Sequence, residues 1–178
     1  MLYIFEGADL TGKTTLANML SSKLKIPVCK PKRPMDLKDS PAWNKIANEE
    51  MEFFEKFITP EKNLILDRVV WIDENVYAPV FRKVTRPDLF ERGKNWRVPM
   101  VIIYCECDYE EKEWRNSKRK EEKWLLNEEI DTRLINEYEK ILKKLTPIKY
   151  IRVNTSTEDA ETWYLDMEKF LEYLGCIK

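Results

Sequence analysis

Two of the four glycines in this 178-residue chain fall within one eight-residue window. The window is Gly7–Thr14, within FEGADLTGKTTL, and it reads G-x-x-x-x-G-K-T. Glycine lets backbone turn sharply or approach a ligand closely, so the clustering needs a physical cause. Leu2-Tyr3-Ile4-Phe5, just before it, is an apolar run suited to a buried strand. Leu16, Leu20 and Leu24, just after it, recur every four residues, as on one face of a helix. Strand, glycine loop and helix is the order in which loop amides turn inward and cradle phosphate oxygens at the positive end of a helix. The spacing assigns Gly7, Ala8, Asp9, Leu10, Thr11, Gly12, Lys13, Thr14 and Thr15 to that cradle. Lys13 is expected to reach the β and γ phosphates of ATP, and the Thr14 hydroxyl to sit on Mg²⁺. The plainer alternative is an ordinary strand-to-helix turn, which the two fitting flanks disfavour.

The length predicts one domain, residues 1–178, with a real core. With 31 basic and 32 acidic residues the net charge is -1, so nothing global indicates a nucleic-acid coat or a membrane surface. Apolar runs are near strand length and none is expected to span a bilayer. The first strand follows Met1 at once, which leaves no room for a signal peptide. Cys29, Cys105, Cys107 and Cys176 read best as buried free thiols in a reduced cytoplasm, the expected location. The chain has no histidine. That removes Ser-His and Cys-His nucleophile pairs and any histidine general base.

Apolar strand candidates recur at 2–6, 26–29, 64–66, 100–105 and 148–153, with helical patterns between them. The clearest helices are Trp43–Phe57, the run Ile130, Leu134, Tyr138, Ile141, Leu142, Leu145, and the run Trp163, Met167, Phe170, Leu171, Leu174. Such alternation predicts an α/β fold: a parallel five-stranded sheet with helices on both faces. Ligands then bind beyond the carboxyl ends of the strands. The stretch 30–41, with Pro31, Pro34 and Pro41, reads as a loop, and 84–99 is mixed, basic and unassigned.

Two further constellations carry charge. LILDR, Leu64–Arg68, ends a buried strand in Asp67-Arg68. At a strand end beside a phosphate loop, such an Asp can orient Mg²⁺-bound water and such an Arg can grip a phosphate bidentately. A surface ion pair is the alternative. EWRNSKRKEEKW, Glu113–Trp124, gathers Arg115, Lys118, Arg119 and Lys120, with Arg115 and Arg119 one turn apart on one helical face. On charge pattern alone a solvated, ion-paired helix is favoured. A phosphoryl-transfer enzyme, in contrast, needs mobile cations to close over the transferring group.

Taken in order, these three pieces resemble thymidylate kinases and the related deoxynucleoside kinases over nearly the whole chain. FEGADLTGKTT is similar to the opening of thymidylate kinases, LDR to the family's Asp-Arg motif, and WRNSKRKEE to its R-x-x-x-R lid, about residues 109–123. The resemblance implies a three-layer P-loop kinase fold and an ATP- and Mg²⁺-dependent phosphoryl transfer to a small-molecule nucleotide or nucleoside. It implies a catalytic set of Lys13, Asp67, Arg68, Arg115 and Arg119, with Thr14 and Asp67 at the metal. It places Asp9 near the acceptor sugar and Tyr77 beside the acceptor, as the aromatic ten residues beyond Asp67. The chain departs from the pattern at Leu10, where thymidylate kinases often carry glycine or arginine, so the catalytic cation is expected from the lid. It departs again at Val69, where Tyr or His commonly follows Asp-Arg. Trp43, Phe53 and Phe54 are the candidates for stacking on the acceptor base, and each also fits an apolar face formed with Ile46 and Phe57.

The second strand bears on the acceptor. Deoxynucleoside kinases carry a Glu at its end, and here the place reads Cys29-Lys30-Pro31-Lys32-Arg33. A hydroxyl acceptor needs a carboxylate base, whereas a monophosphate is already an anion and needs cations to hold it. Lys30, Lys32 and Arg33 fit a deoxynucleoside monophosphate, dTMP first, with Arg33 and Arg68 on its phosphate. A solvent-facing basic loop is the alternative. The readings left open are an alcohol kinase acting on a deoxynucleoside or a hydroxymethylated base in DNA, and an ATP-binding regulatory domain. In the alcohol kinase Asp67 is the base, with Asp36 or Asp39 in reserve. Six Trp and the basic stretch Arg82–Arg97 are what would serve a DNA substrate. A homodimer is also left open.

Overall fold

Five short apolar runs become the strands of one parallel sheet: β1 (Leu2–Glu6), β2 (Val28–Cys29), β3 (Leu64–Asp67), β4 (Met100–Glu106) and β5 (Lys149–Asn154). Their order is β2-β3-β1-β4-β5. β1 and β3 are buried at every position, as strands covered on both faces must be. Phe5 registers with Asp67 on one side and Ile103 on the other, so β1 and β3 end within one residue of each other, while β4 runs two residues further, to Glu106. The computed structural model describes residues 1–31, 42–82, 85–119, 126–157 and 159–177. Among them are seven helices: α1 (Lys13–Leu24), α2 (Ala42–Phe57), α3 (Val70–Phe81), α4 (Pro87–Lys94), α5 (Tyr109–Lys118), α6 (Glu128–Lys144) and α7 (Ala160–Tyr173). No helix among the described residues is long and apolar enough to cross a membrane.

The helices form two layers. On one face α1 and α7 bury Leu16, Leu20, Trp163, Met167 and Leu171 against Phe5, Val101 and Ile103. On the other face α2, α3, α4 and α6 bury Met51, Phe54, Trp71, Phe90, Leu134 and Tyr138 against Leu2, Ile4 and Ile102. Each large apolar side chain so buried contributes roughly 1.5–3 kcal/mol. The expected three-layer α/β architecture is what forms.

Several expectations need correction. The buried face of α2 is Trp43, Ala47, Met51 and Phe54, not Ile46, Phe53, Phe54 and Phe57. Phe53 and Phe57 lie outside, 54% and 39% exposed, stacked on each other at 5.5 Å between centroids. The spacings 43, 47, 51 and 54 follow the helical repeat more closely, and they include the small Ala47 and the unbranched Met51 in place of aromatics. The unassigned segment 84–99 holds α4, which packs so tightly on α3 that a Cβ on Gly93 would lie 2.1 Å from Trp71 Cγ. The basic stretch Arg82–Arg97 is not an open cationic track among the described residues. Arg82 pairs with Glu74 and Arg86 with Asp88, both at 2.7 Å, and Arg92 pairs with Glu55 at 2.6 Å. Most of the six Trp residues give a DNA substrate nothing to stack on. Trp43, Trp71 and Trp163 are buried and Trp96 packs on the core, whereas Trp114 of α5 is 41% exposed and Trp124 lies outside the described residues.

The lid helix is shorter than its charge pattern suggests. α5 ends at Lys118, and Arg119 continues in extended conformation, so Arg115 and Arg119 do not share one helical face. Residues 120–123 of the expected lid lie outside the described residues. α5 is anchored by a fully buried ammonium, that of Lys112, which donates to both Asp131 oxygens of α6 at 2.9 and 2.7 Å. Removing one partner of a buried pair leaves an uncompensated charge, at about 3–5 kcal/mol. Lys112→Ala is therefore expected to lower unfolding stability by that amount, read from urea midpoints at constant m-value. A loss under about 1 kcal/mol would mean water reaches Asp131 freely.

Candidate active site

The site is assembled where β1 runs into α1. Glu6, the last residue of β1, is fully buried, and its Oε1 accepts from the Val69 amide at 2.8 Å. Tyr138 of α6 donates to the Gly7 carbonyl at 3.0 Å. These two contacts tie the loop to the end of β3 and to the helical layer. Gly7 has φ 140, and a Cβ there would lie 2.2 Å from the Cys105 carbonyl oxygen. Gly12 has φ 75 and caps α1 in the left-handed region. Neither position accepts another residue without strain, which is the physical cause of the glycine clustering. Leu10 also takes a positive φ, 64, in the same turn.

Lys13 opens α1 and points back into the loop. Its buried Nζ donates to the Ala8 carbonyl and, at 3.2 Å, to Thr11 Oγ1, which in turn donates to Ala8 O at 2.9 Å. Burial, followed by the nearby Arg68 charge, lowers the Lys13 pKa from 10.5 to about 8. Thr14 and Thr15 are exposed on the first turn of α1. The Thr14 hydroxyl donates to Asp67 Oδ2 at 2.6 Å, and Lys30 Nζ reaches both Thr14 Oγ1 and Asp67 Oδ2 at 2.9 Å. Asp67 Oδ1 is buried with no hydrogen-bond partner among the described residues. Burial by itself raises the Asp67 pKa. Hydrogen bonds from Lys30 and Thr14, with the Lys30 and Lys13 charges, outweigh it and hold the carboxyl below the usual range. A hydroxyl and an ionised carboxylate with one oxygen free is a donor set that fits a hydrated Mg²⁺ bound mainly by phosphates and water.

Arg68 follows with φ 74, a strained conformation for a side-chain-bearing residue and common at functional sites. Its guanidinium meets Asp9 at 2.6 Å and Asp73 at 3.5 Å, and lies 4.9 Å above the Tyr77 ring. Asp9, Arg68 and Tyr77, separated by up to 68 positions in sequence, thus form one cluster beside the loop. Trp43 does not join it. Its buried indole donates to Glu74, with Arg82 over the ring at 5.5 Å. Arg33 lies outside the described residues, as do Lys32, Asp36 and Asp39. Arg115 lies against the loop, its Nη1 donating to Leu10 O at 2.9 Å. Arg119 stands one residue past the end of α5.

The family model described as chromatin associated protein KTI12 matches residues 1–147. The chain belongs to the KTI12 family. No curated protein matches it. Solved structures do resemble this KTI12-family chain. One is the Bacillus subtilis YorR protein in complex with phosphorylated GDP, at 20% identity over 100% of this chain and 99% of that one, TM-score 0.67. Another is M. mycoides deoxyadenosine kinase with dCMP and dCDP bound, at 21% identity over 98% and 100%, TM-score 0.67. A third is thymidylate kinase from Ehrlichia chaffeensis, at 17% identity over 96% and 98%, TM-score 0.67. At such identities the likeness shows the fold, and the fold is the one these kinases have. Membership among thymidylate kinases, which the three motifs suggest, is not what the family match gives; the match is to KTI12.

Sequence reasoning missed several residues of this KTI12-family site. Lys30 was expected on an acceptor phosphate and instead lies on Asp67 and Thr14. Asp73 and Tyr138 carried no motif, and Glu6, though inside FEGADLTGKTT, was assigned no role. A charge inside an apolar strand, as at Glu6, was the one available signal, because burial of a charge demands a partner.

Proposed function

We propose that the chain is an ATP- and Mg²⁺-dependent P-loop kinase, a single domain over residues 1–178, that transfers the γ-phosphoryl group to a deoxynucleoside monophosphate, dTMP first. The observation that carries this reading is the state of Asp67. Lys30 and Thr14 occupy its Oδ2 and hold it ionised at low pKa. A carboxylate so stabilised is a weak proton acceptor and a good holder of a cation. An acceptor that arrives as an anion needs no such base.

In this reading the loop amides and Lys13 hold the donor phosphates, with Lys13 leaving Ala8 O for the β and γ oxygens. Mg²⁺, held through Thr14 and Asp67, would neutralise charge on the β and γ phosphates. Lys30 adds positive charge at the same place. The acceptor phosphate takes the Arg68 guanidinium from Asp9, and the released Asp9 carboxylate faces the acceptor sugar. Tyr77 flanks Arg68 and closes that side. Arg33 is assigned to the acceptor phosphate from its sequence position alone.

The test is a comparison of kcat/KM for dTMP, thymidine, the other deoxynucleosides and their monophosphates, and hydroxymethylated DNA. A preference for dTMP over thymidine of at least about tenfold is expected, since at least one charge-assisted contact is made to the phosphate alone. Arg33→Ala should raise KM for dTMP and leave KM for ATP unchanged. Efficient phosphorylation of thymidine or DNA with dTMP inert sinks the monophosphate reading and returns Asp67 to the role of base. ATP consumption that ignores every acceptor points instead to a regulatory ATP-binding domain.

A further inference from the structure

Arg115 was expected to serve as a mobile cation, yet its guanidinium has no N–H to offer. Nε donates to Glu111 Oε1 at 2.9 Å, one turn back on α5. Nη1 donates to the Leu10 carbonyl at 2.9 Å and to Thr155 Oγ1 at 3.3 Å. Nη2 donates to the Thr155 carbonyl and, at 3.2 Å, to the Thr157 carbonyl. Five donors thus meet five acceptors, and the plane lies 4.6 Å from the Trp163 ring centroid. The side chain is 14% exposed.

Apart from Glu111 on α5 itself, the acceptors belong to the donor-phosphate loop and to the turn after β5 that packs on it. Leu10 sits inside the loop with φ 64, a conformation that leucine adopts at a cost. Thr155, fully buried just beyond β5, donates through its hydroxyl to the Thr11 carbonyl at 3.1 Å. Trp163 packs against Gly12 so closely that a Cβ there would lie 3.1 Å from the ring. A rigid planar fork can hold three carbonyls in fixed relation, whereas a lysine ammonium is a point donor on a flexible stem.

We propose that Arg115 is a positioning residue, a latch that joins α5 to the phosphate loop through Leu10 and to the β5–α7 turn through Thr155 and Thr157. It fixes the strained loop in the conformation that accepts nucleotide phosphates. Its effect on nucleotide binding rests on the reading of Gly7–Thr14 as the ATP site. The latch itself does not, since all its contacts are made within the chain. The transition-state cation must then come from elsewhere in the lid.

The experiment uses the full chain with Arg115→Lys and Arg115→Gln. Amide hydrogen exchange over residues 8–14 is measured without nucleotide, with β3 as internal control. KM for ATP and kcat are measured in parallel. Both variants are expected to speed exchange in the loop by about tenfold or more, the loss of one or two hydrogen bonds, with β3 unchanged. KM for ATP should rise about tenfold, with kcat within about threefold. Lysine should rescue neither, although it keeps the charge. Unchanged loop exchange in both variants overturns the latch. So does a fall in kcat of about 10³ at normal KM with lysine restoring part of it, the signature of a transition-state cation. Absence of ATP binding by the unsubstituted chain would overturn the proposed function, while the exchange measurement still decides the latch.

Discussion

Lys13→Ala is expected to reduce phosphoryl transfer by a factor on the order of 10³ or more while leaving the fold intact. The side chain is buried and its ammonium donates to loop atoms, the Ala8 carbonyl and Thr11 Oγ1. Removing it spares the fold a desolvated charge. The same burial makes the site pH-sensitive. In the folded chain burial lowers the Lys13 pKa to about 8, against its ordinary 10.5, so the unfolded chain binds more protons between those values. Stability therefore rises with pH across that window, and the cost of burying the ammonium is fully present below about 8. Nucleotide binding runs the other way. Phosphates favour the protonated ammonium, so ATP affinity should fall as pH rises through about 8, with proton uptake on binding there. Calorimetry in buffers of different ionisation enthalpy reads that uptake. Wild-type turnover in Lys13→Ala would remove the assignment of the loop, and a flat affinity from pH 7 to 9.5 in the unsubstituted chain would remove the assignment of Lys13.

Arg119→Ala is expected to lower kcat by roughly 10³, with little change in KM for either substrate. Leu10 stands where the thymidylate kinases that the motifs resemble often carry glycine or arginine, so in the proposed kinase the cation that meets developing charge is expected from the lid. Arg115 is saturated by its contacts to Glu111, Leu10, Thr155 and Thr157. Arg119 is the next arginine of the lid motif and lies just past the last turn of α5, on extended backbone whose amide donates to the Asn116 carbonyl at 3.3 Å. Single-turnover kinetics separates this loss from slow product release. If Arg119→Ala keeps a normal single-turnover rate, Arg119 supplies no transition-state cation.

The sequence by itself determined the glycine loop between the first strand and helix, and the layered sheet. G-x-x-x-x-G-K-T, an apolar run before it and a four-residue repeat after it are local signals, and local backbone geometry follows from local residues. The strands at 2–6, 64–66, 100–105 and 148–153 were legible for the same reason. α3 was not legible. Nine of its twelve residues are buried, including Asp73, Glu74 and Asn75, so no polar face breaks the pattern into a helical period. Proline at 79 adds a signal against a helix that the surrounding packing overrides.

What only the tertiary structure decided was which charges face each other. Asp9 and Arg68 are 59 residues apart and meet at 2.6 Å, because β1 and β3 are neighbours that end within one residue of each other. Lys30 reaches Asp67 and Thr14 because β2 lies on the other side of β3. Arg115 and Arg119 look alike in sequence, one helical turn apart. Termination of α5 at Lys118 and the five acceptors around Arg115 give them different environments. A side chain's charge is written in the sequence; its partner is fixed by strand order and helix ends, which depend on contacts far along the chain.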